Sequence, residues 1–255
     1  MSAHSVEWHK TLYDGLFAKS GLDSKAMHEK ARLEATFVAR VLKLKPNDKI
    51  LDVPCGTGRH AKVLAELGYS VTGVDINKTC IQFAKKNCAG FDVLLKQGDM
   101  KSLSWAREKY DAVINMFTSF GYFPTDQENE AVLRQMIACL MPNGGIAIQT
   151  INRDFLMTIF DPARWSEDRT SFHLEASKYD PKTKYIESQK IIIEKRNNRA
   201  HRYHHRARLY SASEMRALMK KCGLSKVQVF GGPQAERFDR LKSTHPIYIG
   251  FKSER

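Results

Sequence analysis

A glycine turn between two apolar segments constrains this chain more than any other feature of its sequence. The first apolar segment, residues 50–53, leads into a turn that contains Gly56 and Gly58. A helix-compatible stretch follows, and a second apolar segment ends at Asp75. Because glycines permit both a tight turn and a close approach of ligand to backbone, this order predicts a nucleotide-binding βαβ unit.

The ends of this unit carry the groups that would bind the nucleotide. The unpaired N–H groups of the new helix favour an anionic ligand group, and Asp75 is placed to accept hydrogen bonds from both hydroxyls of a ribose. The pattern Gly56-x-Gly58-x-x-Ala61 also satisfies the relaxed dinucleotide fingerprint, so it is compatible with a nicotinamide cofactor as well as with S-adenosylmethionine. Asp52 distinguishes between these two cofactors. A carboxylate at this position would repel the pyrophosphate of a nicotinamide cofactor, but it would pair with the ammonium group of S-adenosylmethionine.

Four motifs in order resemble those of the class I S-adenosylmethionine-dependent methyltransferases of the small-molecule type. Residues 51–58 resemble the first motif of that family, and Asp75 matches its ribose-binding acid. Residues 97–100 resemble the loop whose acid meets the adenine, and residues 111–122 resemble the fourth strand with the loop after it. The resemblance implies S-adenosyl-L-methionine as cofactor and methyl transfer to a nitrogen or oxygen nucleophile of a small molecule.

The strand ends and the resemblance together predict the site residues. Ligands of open α/β sheets bind beyond the carboxyl ends of the strands, so the loops after the strands should form the site. The candidate cofactor-binding residues are Tyr13, Arg32, Asp52, Pro54, Gly56, Gly58, Arg59, Asp75, Ile76, Asp99, Met100, Asn115, Met116 and Phe117. The candidate catalytic residues are Tyr13, Tyr122 and His173. Methyl transfer from a sulfonium needs alignment more than a strong base, so no metal is expected.

Alternating helix and strand patterns predict an α/β chain with a Rossmann-like, seven-stranded, mostly parallel sheet, helices on both faces and an inserted antiparallel lid. We expect a single methyltransferase domain over residues 1–255. Its parts are an N-terminal helical cap over 1–45, a core over 46–159 and 211–255, and the lid over 160–210. Two helices, at 6–19 and 24–42, are predicted in the cap, and three strands, at 170–178, 184–196 and 200–210, are predicted in the lid.

Composition limits the setting in which the chain works. No apolar run is long enough to span a membrane, and the N-terminus lacks the apolar core of a signal peptide, so a cytoplasmic location is expected. The five cysteines show no Cys-x-x-Cys spacing, which argues against a disulfide framework and a zinc site. Cys55 is expected to line the cofactor site rather than to act as a nucleophile. The expected oligomeric state is a monomer or a weak homodimer.

The net charge of +13 raises a second interpretation. Residues 195–208 are rich in arginine, which is also typical of an RNA methyltransferase that follows a phosphate backbone. The sequence contains no Asn/Asp-Pro-Pro-Tyr motif and no RNA-binding module, so a small-molecule acceptor is favoured over nucleic acid. A non-catalytic protein that binds S-adenosylmethionine is a third possibility.

Three histidines in this segment raise the question of a metal site. In a strand, His201, Tyr203 and His205 share one face, whereas Arg202 and His204 lie on the other. The three imidazoles therefore do not converge on one ion. His60, in the glycine turn, and His173, at the start of the lid, are better placed for function.

Overall fold

The computed structural model describes residues 24–254. The predicted helix over 6–19, and with it Tyr13, lies outside the described residues. The helices of the described part are α1 (Lys25–Val41), α2 (Arg59–Glu66), α3 (Lys78–Asn87), α4 (Asp126–Cys139), α5 (Arg153–Thr158) and α6 (Ala212–Lys221). The strands are β1 (Lys49–Asp52), β2 (Ser70–Asp75), β3 (Val93–Gln97), β4 (Tyr110–Asn115), β5 (Leu140–Gln149), β6 (Ala163–Glu167), β7 (Ser171–Asp180), β8 (Tyr185–Glu194), β9 (Ala200–Arg208), β10 (Leu224–Phe230) and β11 (Ile247–Lys252).

The main sheet has seven strands in the order β10-β11-β5-β4-β1-β2-β3. All neighbours are parallel except β11, which runs antiparallel to both β5 and β10. The strand order reverses between β1 and β4, and ligands of open α/β sheets bind at such a switch point. The predicted fold class, a mostly parallel seven-stranded sheet with helices on both faces, is confirmed.

Apolar side chains on both faces of the sheet pack under helices. Ile50 belongs to a core with Phe37 of α1, whereas its neighbour Leu51 belongs to a second core with Met136 of α4. Successive residues of a strand point to opposite faces, so β1 contributes to both cores. Burial on both sides fixes the carboxyl end of β1, from which the glycine turn starts.

The second sheet differs from the prediction by one strand. It is antiparallel, with the order β6-β7-β8-β9, and it lies between α5 and α6 in the chain. The three predicted lid strands are present as β7, β8 and β9. The fourth strand, β6, was missed because it has no alternation of buried and exposed residues: all five of its residues are exposed. We call residues 163–208 the lid sheet.

The start of β5 contains the stretch Pro142-Asn-Gly-Gly145, whose residue types predict a turn before the strand. The strand begins at Leu140, directly after α4. Tyr110 pairs with Leu140, but Ala112 pairs with Gly145, so the predicted turn residues form an irregularity inside the strand. A residue with positive φ, Asn143, accommodates it.

Backbone contacts join the lid sheet to the loop after β4. The N–H of Arg208 donates to the carbonyl oxygen of Gly121 at 2.7 Å. Gly121 has a φ of +104°, and a Cβ there would lie 2.5 Å from the carbonyl oxygen of Arg208. The hydroxyl of Tyr185 donates to the carbonyl oxygen of Phe123 at 2.9 Å. These contacts fix the end of β9 against the carboxyl edge of the main sheet.

Among the helices of residues 24–254, none is both long and apolar enough to cross a bilayer.

Candidate functional site

A cleft opens at the carboxyl ends of β1, β2 and β4. Its volume is about 700 Å³ with its open mouth included, within the range usual for small-molecule sites. The lining residues are Pro54, Cys55, Gly56, Thr57, Arg59, His60, Asp75, Ile76, Cys80, Met100, Met116, Phe117, Ser119 and Tyr122. Most of the predicted cofactor-binding residues thus meet in one cleft, and the predicted catalytic Tyr122 joins them.

The two glycines of the turn have different roles. Gly56 has a φ of +53°, and a Cβ there would meet no protein atom within 4 Å, so the turn leaves open space for a ligand. Gly58 caps α2 with a φ of +80°, and a Cβ there would lie 2.9 Å from the Sγ of Cys88. Gly58 is therefore required for packing of the turn against α3 and is absent from the lining of the cleft.

Asp75 lies at the end of β2 with its carboxylate in the cleft. The N–H of Gly56 donates to Oδ2 at 2.9 Å, and the N–H of Asn77 donates to Oδ1 at 2.8 Å. Burial raises the pKa of Asp75, and these two N–H groups partly offset the effect. Each carboxylate oxygen keeps a further lone pair. The carboxylate is thus held rigidly and can still accept two hydroxyl donors.

Asp52 lies beneath the glycine turn rather than in the lining of the cleft. It is fully buried, and its Oδ2 has no hydrogen-bond partner within residues 24–254. Burial raises the pKa of Asp52 well above its usual range, and the charge of Asp75 adds to this, whereas Arg59 and the N–H of Ala61 lower it. A nearby cation would stabilise this carboxylate. Its pairing with an ammonium group of a ligand stays a prediction.

A buried hydrogen-bond network connects α1 to the cleft. His60 Nε2 lies 2.8 Å from Glu34 Oε2, and Gln149 Nε2 donates to Glu34 Oε1 at 2.7 Å. The N–H of Phe117 in turn donates to Gln149 Oε1 at 2.9 Å. Burial acts to raise the pKa of Glu34, but His60, Gln149 and Lys30 outweigh it and lower the pKa below its ordinary value.

This network holds the loop after β4 in an unusual backbone conformation. Phe117 and Thr118 both have positive φ, 58° and 63°.

The sequence analysis did not identify Glu34 and Gln149 as site residues, although one signal was present. Glu34 is an acidic residue on the apolar face of α1, between the buried Ala31 and Ala35.

Aromatic and cationic side chains form the wall beside the turn. The guanidinium of Arg59 lies 4.6 Å from the ring centroid of Phe117, and Lys30 Nζ lies 5.7 Å from it. Phe120 and Phe123, by contrast, are buried in the core. The loop after β4 therefore divides its aromatic residues between the site and the core.

Several lining residues were not predicted as site residues. Cys55 lines the cleft as expected, and burial raises the pKa of its thiol well above the usual range, so the thiol stays protonated. Thr57, Cys80 and Ser119 were missed. Thr57 and Ser119 lie within the predicted loops, and Cys80 lies in the first turn of α3, whose cap Asn77 was the available signal.

Besides Asp52 and Gly58, three further predicted cofactor residues lie outside the lining. Arg32 is more than half exposed and pairs with Glu66, so its predicted contact with the cofactor is not supported by its position. Asp99 Oδ1 accepts the N–H of Lys101 at 2.9 Å in a local turn. Asn115 is completely buried, and its Nδ2 donates to the carbonyl oxygen of Val53 at 2.8 Å, which joins the ends of β1 and β4.

The lid histidine beside the cleft is His205 rather than the predicted His173. His173 pairs with Asp168 at 2.9 Å and pairs in register with Ile192, which in turn faces His201. That row lies four residues from His205, about 13 Å along the strand. The ring of His205 meets Tyr122 edge to face at 5.3 Å between centroids. His173 is thus too far along the lid sheet to line the cleft.

Two arginines of β9, Arg206 and Arg208, form ion pairs within the protein. Arg206 Nε lies 3.0 Å from Glu187 Oε1, and Arg208 Nε lies 3.0 Å from Asp126 Oδ1. His201 Nε2 lies 2.6 Å from Glu194 Oε1. These residues are therefore committed to ion pairs and hydrogen bonds within the protein.

Part of the chain matches a known protein family. Residues 50–144 match the family described as a methyltransferase domain. The chain is 29% identical over 143 residues to dTDP-3-amino-3,4,6-trideoxy-alpha-D-glucopyranose N,N-dimethyltransferase of Streptomyces venezuelae. The aligned region covers 55% of this chain and 56% of that protein. The chain thus spans about half the length of the curated relatives it matches.

Solved structures show the same fold over most of the chain. The CcbJ methyltransferase of Streptomyces caelestis superposes with a TM-score of 0.77 at 23% identity, over 89% of this chain and 90% of that one. CalS10, described as an S-adenosylmethionine-bound amino pentose methyltransferase from Micromonospora echinaspora, has a TM-score of 0.68 at 19% identity, over 96% of this chain and 100% of that one.

These matches confirm the resemblance that the four motifs indicated. Residues 50–144 match the methyltransferase-domain family, and the chain shares its fold with solved structures described as methyltransferases.

Proposed function

We propose that this protein transfers a methyl group from S-adenosylmethionine to a nitrogen or oxygen atom of a small molecule. The observation on which the proposal mainly rests is the cleft itself. It places the Gly56 turn, the Asp75 carboxylate and the Tyr122 ring around one space at the switch point of the sheet. The methyltransferase-domain match over residues 50–144 supports the same cofactor and reaction.

The residues of the cleft fit the cofactor. The open space at Gly56 allows a ligand to approach the backbone, and Asp75 can accept hydrogen bonds from a ribose diol. Thr57 lines the cleft, and its buried hydroxyl has no hydrogen-bond partner within the described part of the chain. When bound, S-adenosylmethionine supplies an electrophilic methyl group on a sulfonium.

The protein's own contribution is alignment and exclusion of water. Phe117 and Tyr122 form an aromatic wall that attracts a cationic group and limits its movement. The lid sheet closes one side through the contact between Arg208 and Gly121. Because reacting groups held in line gain several orders of magnitude in rate, these contacts suffice without a strong base. We propose that residues 160–210 act as this lid within a single domain.

A nitrogen acceptor has the stronger support. The relative from Streptomyces venezuelae is named for N,N-dimethylation of a nucleotide-linked amino sugar. An RNA acceptor loses support, because Arg206 and Arg208 of the basic strand are engaged in ion pairs with the protein. The cytoplasmic location, the monomeric or weakly dimeric state and the catalytic role of Tyr13 stay predictions.

Release of S-adenosylhomocysteine tests the proposal. The full chain is incubated with S-adenosylmethionine and a panel of amines, phenols, alcohols and acids, and with total tRNA in parallel. We expect a small-molecule member of the panel to stimulate release above the rate without acceptor. Stimulation by tRNA alone would favour an RNA methyltransferase. Saturable cofactor binding without release of S-adenosylhomocysteine for any acceptor would indicate a non-catalytic binding protein.

A further inference from the structure

A second cavity adjoins the cofactor cleft on the lid side. Its volume is about 310 Å³ with the open space at its mouth included, and Tyr122 belongs to the walls of both spaces. The other lining residues are Thr118, Phe120, Thr150, Ile151, His205, Ala207, Arg208 and Leu209. A group held in this cavity lies next to the cofactor cleft across the Tyr122 ring.

The cavity offers neutral hydrogen-bonding groups. Thr150 is buried, and its hydroxyl has no hydrogen-bond partner within residues 24–254. Thr118 adds a second hydroxyl, and His205 adds an imidazole. Arg208, a cationic lining residue, is already engaged by Asp126 and by Glu214 at 3.5 Å. None of the lining residues within 24–254 is a carboxylate.

The imidazole is held neutral by its surroundings. Burial lowers the pKa of His205 to about 4, and the charge of Glu175 on β7 opposes the shift without cancelling it. The charge of His204, the neighbouring residue on β9, also lowers the pKa of His205. At neutral pH the ring is therefore a hydrogen-bond acceptor with no positive charge to repel a cation, and it is too weak a base to remove a proton from a hydroxyl group.

The inner face of the lid sheet continues this polar character. In register, Ser177 faces Ser188, and Ser188 faces His205. The Oγ atoms of the two serines lie 2.7 Å apart. One row further along, Glu175 faces Lys190. Side chains of this kind suit a hydroxylated ligand rather than an apolar one.

We propose that this cavity, which we call the acceptor cavity, binds a neutral primary or secondary amine on a hydroxylated small molecule, and that His205 positions the amine nitrogen. The inference rests on the proposed function and narrows it to nitrogen acceptors. An amine N–H donates to a ring nitrogen of His205, which directs the nitrogen lone pair toward the cofactor cleft. The Tyr122 ring faces the positive charge that develops on the nitrogen.

The reaction balances without a base. The lone pair of the amine forms the new N–C bond, and the electrons of the broken C–S bond remain on sulfur. The positive charge moves from sulfur to nitrogen, and S-adenosylhomocysteine is the second product. The methylated ammonium loses its proton to water after release. An oxygen acceptor, in contrast, must lose a proton during attack, and none of the described side chains that line the acceptor cavity is suited to take it.

Matched acceptor pairs test the inference. Each amine of the panel is compared with the alcohol or phenol of the same skeleton, for example 3-amino-3-deoxy-D-glucose with D-glucose. We expect S-adenosylhomocysteine release with amines only, at a rate that rises with pH until the free amine predominates. Release with oxygen acceptors alone would overturn the inference while supporting the proposed function. No release with any acceptor would overturn both.

Substitution of His205 separates positioning from folding. His205→Gln keeps a neutral acceptor and should retain kcat/KM within about threefold, whereas His205→Phe should lower it about tenfold or more, since one oriented hydrogen bond is lost. Cofactor affinity should stay the same in both variants, because His205 does not line the cofactor cleft. The control is His201→Gln, on the same face but paired with Glu194. Equal activity of the Phe, Gln and control variants would overturn the role of His205.

Discussion

Asp75 is the residue on which we expect cofactor binding in the cleft to depend most directly. Its two carboxylate oxygens are fixed by the N–H groups of Gly56 and Asn77, so the side chain loses little entropy when it accepts a ligand's hydroxyl groups. Asp75→Ala should weaken binding of S-adenosylmethionine about tenfold or more, because hydrogen bonds to a charged group contribute about 1.5–3 kcal/mol each. Calorimetric titration of the full chain measures the change.

Asp92→Ala is the matched control for this prediction. Asp92 lies in the same half of the sheet, just before β3, and is exposed. Its removal should leave cofactor affinity unchanged. If the Asp75 and Asp92 variants, both folded, bound the cofactor as tightly as the parent chain, Asp75 would have no part in cofactor binding.

Glu34 is a buried acid whose removal should act on stability with a defined pH dependence. The pKa of Glu34 is lowered in the folded protein, so its stabilising effect is present above the pKa of the unfolded chain and is lost as the pH falls through the folded value. Glu34→Gln should lower the free energy of unfolding by about 2–4 kcal/mol at pH 7. The difference from the parent chain should shrink below about pH 4.

Urea unfolding of both chains between pH 3 and pH 7 measures this effect. The control is Glu29→Gln on the exposed side of α1, where the carboxylate lies 3.9 Å from Lys25 Nζ. An exposed pair of this kind should change the unfolding free energy by less than about 0.5 kcal/mol. A Glu34 effect that stayed constant across the pH range would show that the carboxylate charge does not contribute.

At the scale of elements, the contact between β9 and the loop after β4 positions the lid sheet. A Cβ at position 121 would lie 2.5 Å from the carbonyl oxygen of Arg208, and backbone atoms cannot move aside as a flexible side chain does. Gly121→Ala should therefore loosen the lid, with faster amide hydrogen exchange in β8 and β9 than in β1 and β4. Its stability cost should exceed the roughly 1–2 kcal/mol of left-handed strain alone.

Gly90→Ala controls for the strain of the backbone. Gly90 has a φ of +85°, and a Cβ there would meet no atom within 4 Å. The Gly90→Ala variant should lose only the stability that a positive φ costs an alanine, without a steric clash. It should leave amide hydrogen exchange in the lid sheet unchanged. Equal exchange rates in β8 and β9 for the two variants would mean that the Gly121 contact does not hold the lid.

At the scale of the whole molecule, the core of the fold was predictable because its signals are local. The apolar strand, the glycine turn and the terminal Asp75 follow one another within 26 residues, from 50 to 75, and each has a single structural interpretation there. Ser24 caps α1 through its side chain, as the predicted helix at 24–42 requires. Local sequence was sufficient to predict the fold wherever one helix or strand determined the position of the next.

The lid and the polar support of the cleft were less predictable, because they depend on distant contacts. Strand alternation identified the face that His205 shares with Tyr203, but the row that meets Tyr122 is set by the pairing of Arg208 with Gly121. For the same reason the sequence pointed to His173 rather than to His205, and a catalytic role of His173 stays a prediction. The link from Glu34 to Gln149 joins residues 115 positions apart, and no local pattern indicates it.

The central claim is that the cleft at the ends of β1, β2 and β4 is a site for S-adenosylmethionine and not for a dinucleotide. The glycine turn alone is compatible with both ligands. Calorimetric titration of the full chain with S-adenosylmethionine and with NAD, under the same conditions, tests the claim most directly. We predict saturable binding of S-adenosylmethionine, competition by S-adenosylhomocysteine, and no binding heat with NAD. Saturable binding of NAD, with none of S-adenosylmethionine, would contradict the assignment of the cleft.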